Sequence, residues 1–315
     1  MKQKTTPAAI SPKGQARNSF GLALTAGGAR GAYQIGCWKA FLERGISFEA
    51  VAGSSIGALN AAFVCQGNFE EACSFWQELG ETRFLTPDYA RLGRLVMRLG
   101  VDVGLFMVPV PNVRTAKILK YAAASARLIS QHGSIGALAR EGLIRIEKLE
   151  PVVSRHLDLK DVLRQPVPLF ATVTEVTGIS NRHLGSRWFK LQDLDDEVAR
   201  KILAASLSLP FVSARIQVNE RSYVDGGIAQ WVPIAPLYEA GFRKIVIVST
   251  RPGFGCKAQD YPDSILYVIK PKRSLGRFPV ATFRFTRHAI TRWMNQGYED
   301  ATAVMDKMSL RQATE

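Results

Sequence analysis

The sequence predicts an α/β fold with a mainly parallel central sheet and a helical cap inserted over it. Two observations carry that expectation. A unit of apolar strand, glycine-rich turn and helix occurs twice near the start of the chain, and further apolar runs follow at 167–173 and 244–249. Strands joined through helices run parallel, and their loops gather at the carboxyl ends, where α/β proteins place ligands.

The elements follow in order. Residues 1–18 mix Lys, Pro, Thr and Ser without an apolar stretch, so a flexible tail is expected and not a signal peptide. That expectation goes with a cytoplasmic location. Phe20-Gly-Leu-Ala-Leu-Thr25 reads as a strand running into Ala26-Gly-Gly-Ala-Arg-Gly31. Tyr33, Ile35, Trp38, Phe41 and Leu42 then recur near helical spacing, and Gly45 stands where a C-terminal cap belongs. The uncharged run from Ala50 to Phe69 has the length of a membrane span. Its Ala, Gly and Ser content, with Asn60 and Gln66, instead suits a buried strand, a turn at Gly53–Gly57 and a helix over Ala58–Cys65. Residues 84–150 are helix-compatible, basic and interrupted by Pro109 and Pro111, which suits an insertion over the sheet.

Composition narrows the class. With 315 residues, 47% hydrophobic and 22% charged, the chain can bury a full core, which excludes a disordered protein. Cys37, Cys65, Cys73 and Cys256 form no CxxC pair, so neither a zinc site nor a disulfide framework is expected, and the thiols read as reduced. The net charge of +14 is uneven. No acid occurs between Val103 and Ala139, against Arg114, Lys117, Lys120 and Arg127, with Arg140 extending the run. None occurs between Ser264 and Tyr298, against Lys270, Lys272, Arg273, Arg277, Arg284, Arg287 and Arg292. The Gly21–Arg83 block is mildly acidic by contrast. Such one-signed segments attract anions: lipid headgroups, nucleic acid or an acidic protein. No nucleic-acid module is recognisable, so a nucleic-acid partner is not expected.

Three motifs carry chemistry. Gly53-Ser54-Ser55-Ile56-Gly57 fits GxSxG with Ser55 central. In a tight strand-to-helix turn, flanking glycines remove side-chain clashes, and the serine projects above the sheet with a helix N-terminus behind it. An ordinary strand-to-helix turn has the same spacing by chance. Gly27-Gly28-Ala29-Arg30-Gly31 offers backbone N–H groups to an oxyanion, or alternatively to a phosphate, although neither GxxxxGK[ST] nor full GxGxxG spacing is present. Asp225-Gly226-Gly227 follows Ser222-Tyr-Val224 and is either a hairpin turn or a carboxylate placed as general base for Ser55. The second role needs a desolvated site, because an ordinary Asp titrates near 3.9. His288 lies downstream of Ser55 and Asp225, in the Ser, acid, His order of a triad. Its basic neighbourhood favours a surface histidine, and so a Ser–Asp dyad.

These motifs together resemble the patatin-like phospholipase family. The match runs through Gly27–Gly31 for the oxyanion loop, Gly53–Gly57 for the nucleophile elbow and Asp225-Gly226-Gly227 for the dyad acid. Ala171-Thr-Val-Thr-Glu-Val-Thr-Gly178 is similar to the family's central strand, and Ala205-Ser206 with Pro210-Phe211 to its segment before the acid. The family often has Asn near the positions of Gln230 or Trp231, where this chain departs. The resemblance covers about Gly21 to Pro236. It implies an α/β/α sandwich and a catalytic domain over 19–270, with core motifs at 21–236, the cap at 84–150 and a basic, helical extension at 271–315. It also implies serine hydrolysis of fatty-acyl esters through Ser55 and Asp225, of phospholipase A or lysophospholipase type, without metal or organic cofactor. A carboxylesterase, an acyl thioesterase or a non-catalytic module on the same scaffold remain alternatives. Phe278, Phe283, Phe285 and Trp293, interleaved with arginines, suit an anionic membrane surface as peripheral partner, and Leu105–Val108 an apolar lip beside it; equally, these apolar residues suit the core.

Overall fold

A computed structural model describes residues 19–82, 86–87, 144–145, 149–177, 183–209, 213–254, 258–277 and 280–312. The first expected unit is present as β1 (Phe20–Leu24), a 3-10 turn over Gly28–Gly31 and α1 (Ala32–Glu43). The second is β2 (Ala50–Ser54) and α2 (Ile56–Gln66). Then come α3 (Phe69–Glu81), β3 (Thr86–Pro87) and β4 (Ile144–Arg145), α4 (Leu149–His156) and α5 (Leu159–Arg164). The second half holds β5 (Leu169–Thr177), β6 (His183–Lys190), α6 (Asp196–Ser206), β7 (Ile216–Val218) and β8 (Arg221–Asp225). It closes with α7 (Ala235–Glu239), β9 (Lys244–Val248), β10 (Ile265–Ile269) and α8 (Arg287–Gln312). Most of the segment expected to form a cap, with the lip at 105–108, lies outside the described residues. Its ends meet, because β3 pairs antiparallel with β4.

The main sheet has the order β10-β9-β1-β2-β5-β8-β7, with β6 on the other edge of β5. From β10 to β5 every pairing is parallel; β6, β7 and β8 run antiparallel, so the sheet is mixed. Strand alternation splits the core in two. Leu22, Leu24, Val51, Val246 and Val248 face the large cluster built with α1, α2, α3, α6 and α8. Ala23, Ala50, Ala52, Ile245 and Ile247 face the other way, against Leu237 of α7, Phe242 and Phe170. Helices thus cover both faces, as an α/β/α arrangement requires.

One expectation is corrected and one open choice is resolved. Leu42, placed on the apolar face of α1, is 47% exposed at the helix's outer end. Of the two readings kept for the C-terminal aromatics, the core reading holds for Trp293, which is buried, and for Phe285, which stacks on Trp76 at 6.2 Å. Both apolar side chains find a better partner in the core than in solvent. The reason is the seat of α8: it crosses α1 where Gly36 and Gly297 meet. A Cβ on Gly36 would lie 1.8 Å from the Met294 carbonyl oxygen, and one on Gly297 2.0 Å from that of Tyr33. Tyr33 Oη donates to Asp300 Oδ2 (3.2 Å) and Cys37 Sγ to the Gly297 carbonyl (3.3 Å). Residues 287–306 therefore complete a layer of the sandwich.

Candidate active site

Strand register brings Ser55 and Asp225 together. β6 occupies one edge of β5 along its length, which leaves the other edge to β2 and β8. β2 runs parallel and ends with Ser54 opposite Thr172; β8 runs antiparallel and ends with Asp225 opposite Val173. Two strands thus arrive head-on at neighbouring positions of a third. The residue after one terminus is Ser55, and the other terminus is Asp225.

At that point Ser55 Oγ donates to Asp225 Oδ2 at 2.5 Å. Ser55 has φ 56° and ψ −130°, a region L-residues avoid, at a cost of about 1–3 kcal/mol. The flanking glycines permit the turn: a Cβ on Gly53 would stand 2.3 Å from the Ala58 Cα, and one on Gly57 2.3 Å from the Leu24 carbonyl oxygen. The strain is held by the Ser55 N–H donating to Ser206 Oγ (3.0 Å) and by α2 starting at once.

Asp225 is 1% exposed. Its Oδ1 accepts from the Gly227 N–H at 2.7 Å, and Gly226 packs on the Thr172 carbonyl so closely that no Cβ would fit. Burial pushes the carboxyl up to about 7, against the opposing pull of the Ser55 and Gly227 hydrogen bonds. Asp-Gly is not the hairpin turn that its sequence also suggested. The β7–β8 turn falls at Asn219–Glu220, both with positive φ.

The 3-10 turn Gly28–Gly31 opens beside the elbow: a Cβ on Gly31 would lie 2.8 Å from Ile56. Its first N–H groups have no acceptor within the turn, as at any helix start. Buried Arg30 folds back, with Nε donating to the Gly27 carbonyl and Nη2 to Thr282 Oγ1, each at 3.1 Å. Asn60 of α2 donates to the Gly31 carbonyl (3.0 Å) and to Gln34 Oε1 (2.8 Å), and Gln34 donates to the Thr25 carbonyl (2.7 Å). Trp76 Nε1 completes the chain by donating to Asn60 Oδ1. Among the described residues no group of three or more His, Cys, Asp or Glu is placed to hold a metal ion.

The patatin-like phospholipase family model matches residues 22–238, from β1 to α7, which includes all three motifs. The chain belongs to this family. Among curated relatives, an uncharacterized NTE family protein of Mycobacterium tuberculosis is 26% identical over 254 residues, covering 81% of this chain and 55% of that protein. The patatin-like chain thus spans about half the length of that relative. Neuropathy target esterase sws of Drosophila persimilis is 56% identical over 48 residues, 15% of this chain and 3% of that protein. Among solved structures, the type III effector ExoU of Pseudomonas aeruginosa is 20% identical with a TM-score of 0.43, covering 92% of this chain and 53% of that one. Human GIVD cytosolic phospholipase A2 is 13% identical with a TM-score of 0.40, covering 94% and 59%.

Where this patatin-like chain departs from the family's Asn, the loop is tied by other means. Ser54 Oγ donates to the Gln230 carbonyl (2.8 Å), Ser186 Oγ to Gln230 Oε1 (2.7 Å), and the Ala26 N–H to the Trp231 carbonyl (3.2 Å). His288 lies exposed on α8, in a groove with Arg273, Arg292 and Glu299, and forms no hydrogen bond with Ser55 or Asp225. Sequence reasoning missed Gln34, Asn60 and Thr282. The one signal was a lone Asn in the middle of an uncharged helical run.

Proposed function

We propose that this chain is a serine lipid acyl hydrolase of phospholipase A or lysophospholipase type, working through a Ser55–Asp225 dyad. Ser55 Oγ attacks the ester carbonyl as its proton passes to Asp225 Oδ2, and amides of the Gly27–Gly31 loop hold the developing oxyanion. Collapse of the tetrahedral intermediate breaks the carbonyl–alkoxy bond, and Asp225 returns the proton to the departing alcohol. Water, losing a proton to the same carboxylate, attacks the acyl-enzyme; Ser55 is then released reprotonated.

The observation that carries this reading is the 2.5 Å contact between a strained serine and a buried carboxyl raised to about 7. A carboxylate of that proton affinity can take a serine proton at neutral pH, which an ordinary Asp does poorly. The test is labelling by a fluorophosphonate probe followed by ester hydrolysis. Wild type should label at Ser55, Ser55→Ala should not, and Asp225→Asn should lose about 100-fold or more in kcat/KM. The wild-type kcat/KM should rise tenfold per pH unit below about 7 and level off above it, because only ionised Asp225 accepts the proton. Labelling absent from wild type would leave a non-catalytic module.

Exposed Arg277, Arg284 and Arg292 and the 73%-exposed Val280 surround the start of α8, and support a peripheral contact with an anionic membrane surface, consistent with a cytoplasmic site of action. No helix among the described residues is long and apolar enough to cross a membrane.

A further inference from the structure

Beside the oxyanion loop lie two guanidinium groups and one indole ring. Trp231 follows the acid loop, close to Gly227, and its carbonyl holds the Ala26 N–H. The Arg251 Cζ stands 3.5 Å from the centre of the Trp231 ring, and the Arg30 Cζ stands 5.9 Å from the same centre. Arg251 reaches this point because β9 ends next to β1: the Thr250 N–H donates to Thr25 Oγ1 and Thr250 Oγ1 to the Ala26 carbonyl. Its own backbone is clamped to Ser249 Oγ through both N–H and carbonyl.

Arg30 differs from the exposed arginines Arg277, Arg284 and Arg292 in being buried. Arg44, Arg155, Arg187, Arg200, Arg221 and Arg273 all reach a carboxylate. Among the described residues neither Arg30 nor Arg251 does, although Arg30 is only 4% exposed. Burial and the Arg251 charge together lower Arg30 to about 10. Trp231 Nε1 adds a buried donor without an acceptor among the described residues. Arg30 is buried and unopposed next to a site for acyl esters, a costly state for a charge, while Arg251 beside it is exposed and open to an anion arriving from solvent. A planar guanidinium stacked on an indole keeps its N–H fork pointing outward, a geometry matched to phosphate oxygens.

We propose that Arg251, stacked on Trp231 with Arg30 behind it, is a subsite for the phosphate of a glycerophospholipid-type substrate. Arg251 is then a specificity residue, outside the proton transfers. The inference rests on the hydrolase reading above and extends it to headgroup choice. Free phosphate has the same chemistry as the lipid-borne group, and the test separates them.

The experiment compares kcat/KM for 1-oleoylglycerol 3-phosphate with that for 1-monooleoylglycerol, both in neutral detergent micelles. The ratio should favour the phosphate lipid in wild type. It should fall about tenfold or more in Arg251→Ala and less in Arg251→Lys, and stay in place in the charge control Lys201→Ala. A second arm measures binding of both lipids by titration calorimetry on Ser55→Ala with and without Arg251→Ala, which reads the subsite without turnover. The phosphate lipid alone should bind about tenfold more weakly without Arg251. If wild type hydrolyses neither ester, the hydrolase reading fails while the binding arm still judges the subsite. An unchanged ratio and unchanged binding in Arg251→Ala would overturn the subsite. So would inorganic phosphate inhibiting both hydrolyses equally through Arg251, which would make this a free-anion site.

Discussion

At the scale of single residues, Ser55 and Asp225 each carry a cost in stability that the proposed chemistry would use. Asp225 titrates near 7 when folded and near 3.9 when unfolded, so the native state binds the extra proton between those values. Its burial therefore costs nothing below pH 4, and stability falls as pH rises from 4 to 7, by roughly 4 kcal/mol in all. Asp225→Asn, which can still accept from Gly227 and donate to Ser55, should raise Tm at pH 8 and leave it unchanged at pH 4, as calorimetry at the two pH values would show. Ser55→Gly should relieve the positive φ and stabilise by about 1 kcal/mol or more, whereas Ser55→Ala keeps the strain; urea melts of the two would separate them. These residues were legible in the sequence because their glycine neighbours are forced by close packing and mark the turns. Gln34, Asn60 and Thr282 were not legible. Each is a single polar side chain whose partner is set by folding, and Thr282 meets Arg30 across 252 positions.

At the scale of elements, the site is a product of register. The approach of β2 and β8 along one edge of β5 places Ser54 and Asp225 opposite consecutive residues, so a slip of either strand would part the pair. The two parallel units were readable from their apolar strands and helical periodicity. The antiparallel strands were not: β6 reads His-Leu-Gly-Ser-Arg-Trp-Phe-Lys, and the β7–β8 turn is Asn-Glu where Asn-Gly would have announced it. Tertiary pairing overrode weak local signals there. Helix α8 is a middle case, since its charges suggested surface while Ala289, Ile290, Trp293, Gly297, Ala301 and Met305 repeat at helical spacing and form its buried face. Gly36→Ala or Gly297→Ala should push α1 and α8 apart and cost about 1–3 kcal/mol, measurable as a lower urea midpoint.

At the scale of the whole molecule, the chain carries a net charge of +14, and Arg277, Arg284 and Arg292 are exposed around the start of α8. Binding to vesicles containing anionic lipid should weaken steeply between 0.05 and 0.5 M salt, as the screening length shrinks to a few ångströms. Arg277→Glu with Arg284→Glu should weaken it further in a flotation assay, by about 1 kcal/mol or more for each cation removed. The same C-terminal region has an inward side, because Thr282 holds Arg30 and its carbonyl closes on Gly28. Synthesis runs from the other end of the chain. The Gly53–Gly57 turn is synthesised early, but the loop beside it gains its last contacts only once Thr282 has followed. A nascent chain thus carries the serine without its finished surroundings, and the Gly27–Gly31 loop is completed only when the segment around Thr282 folds onto it.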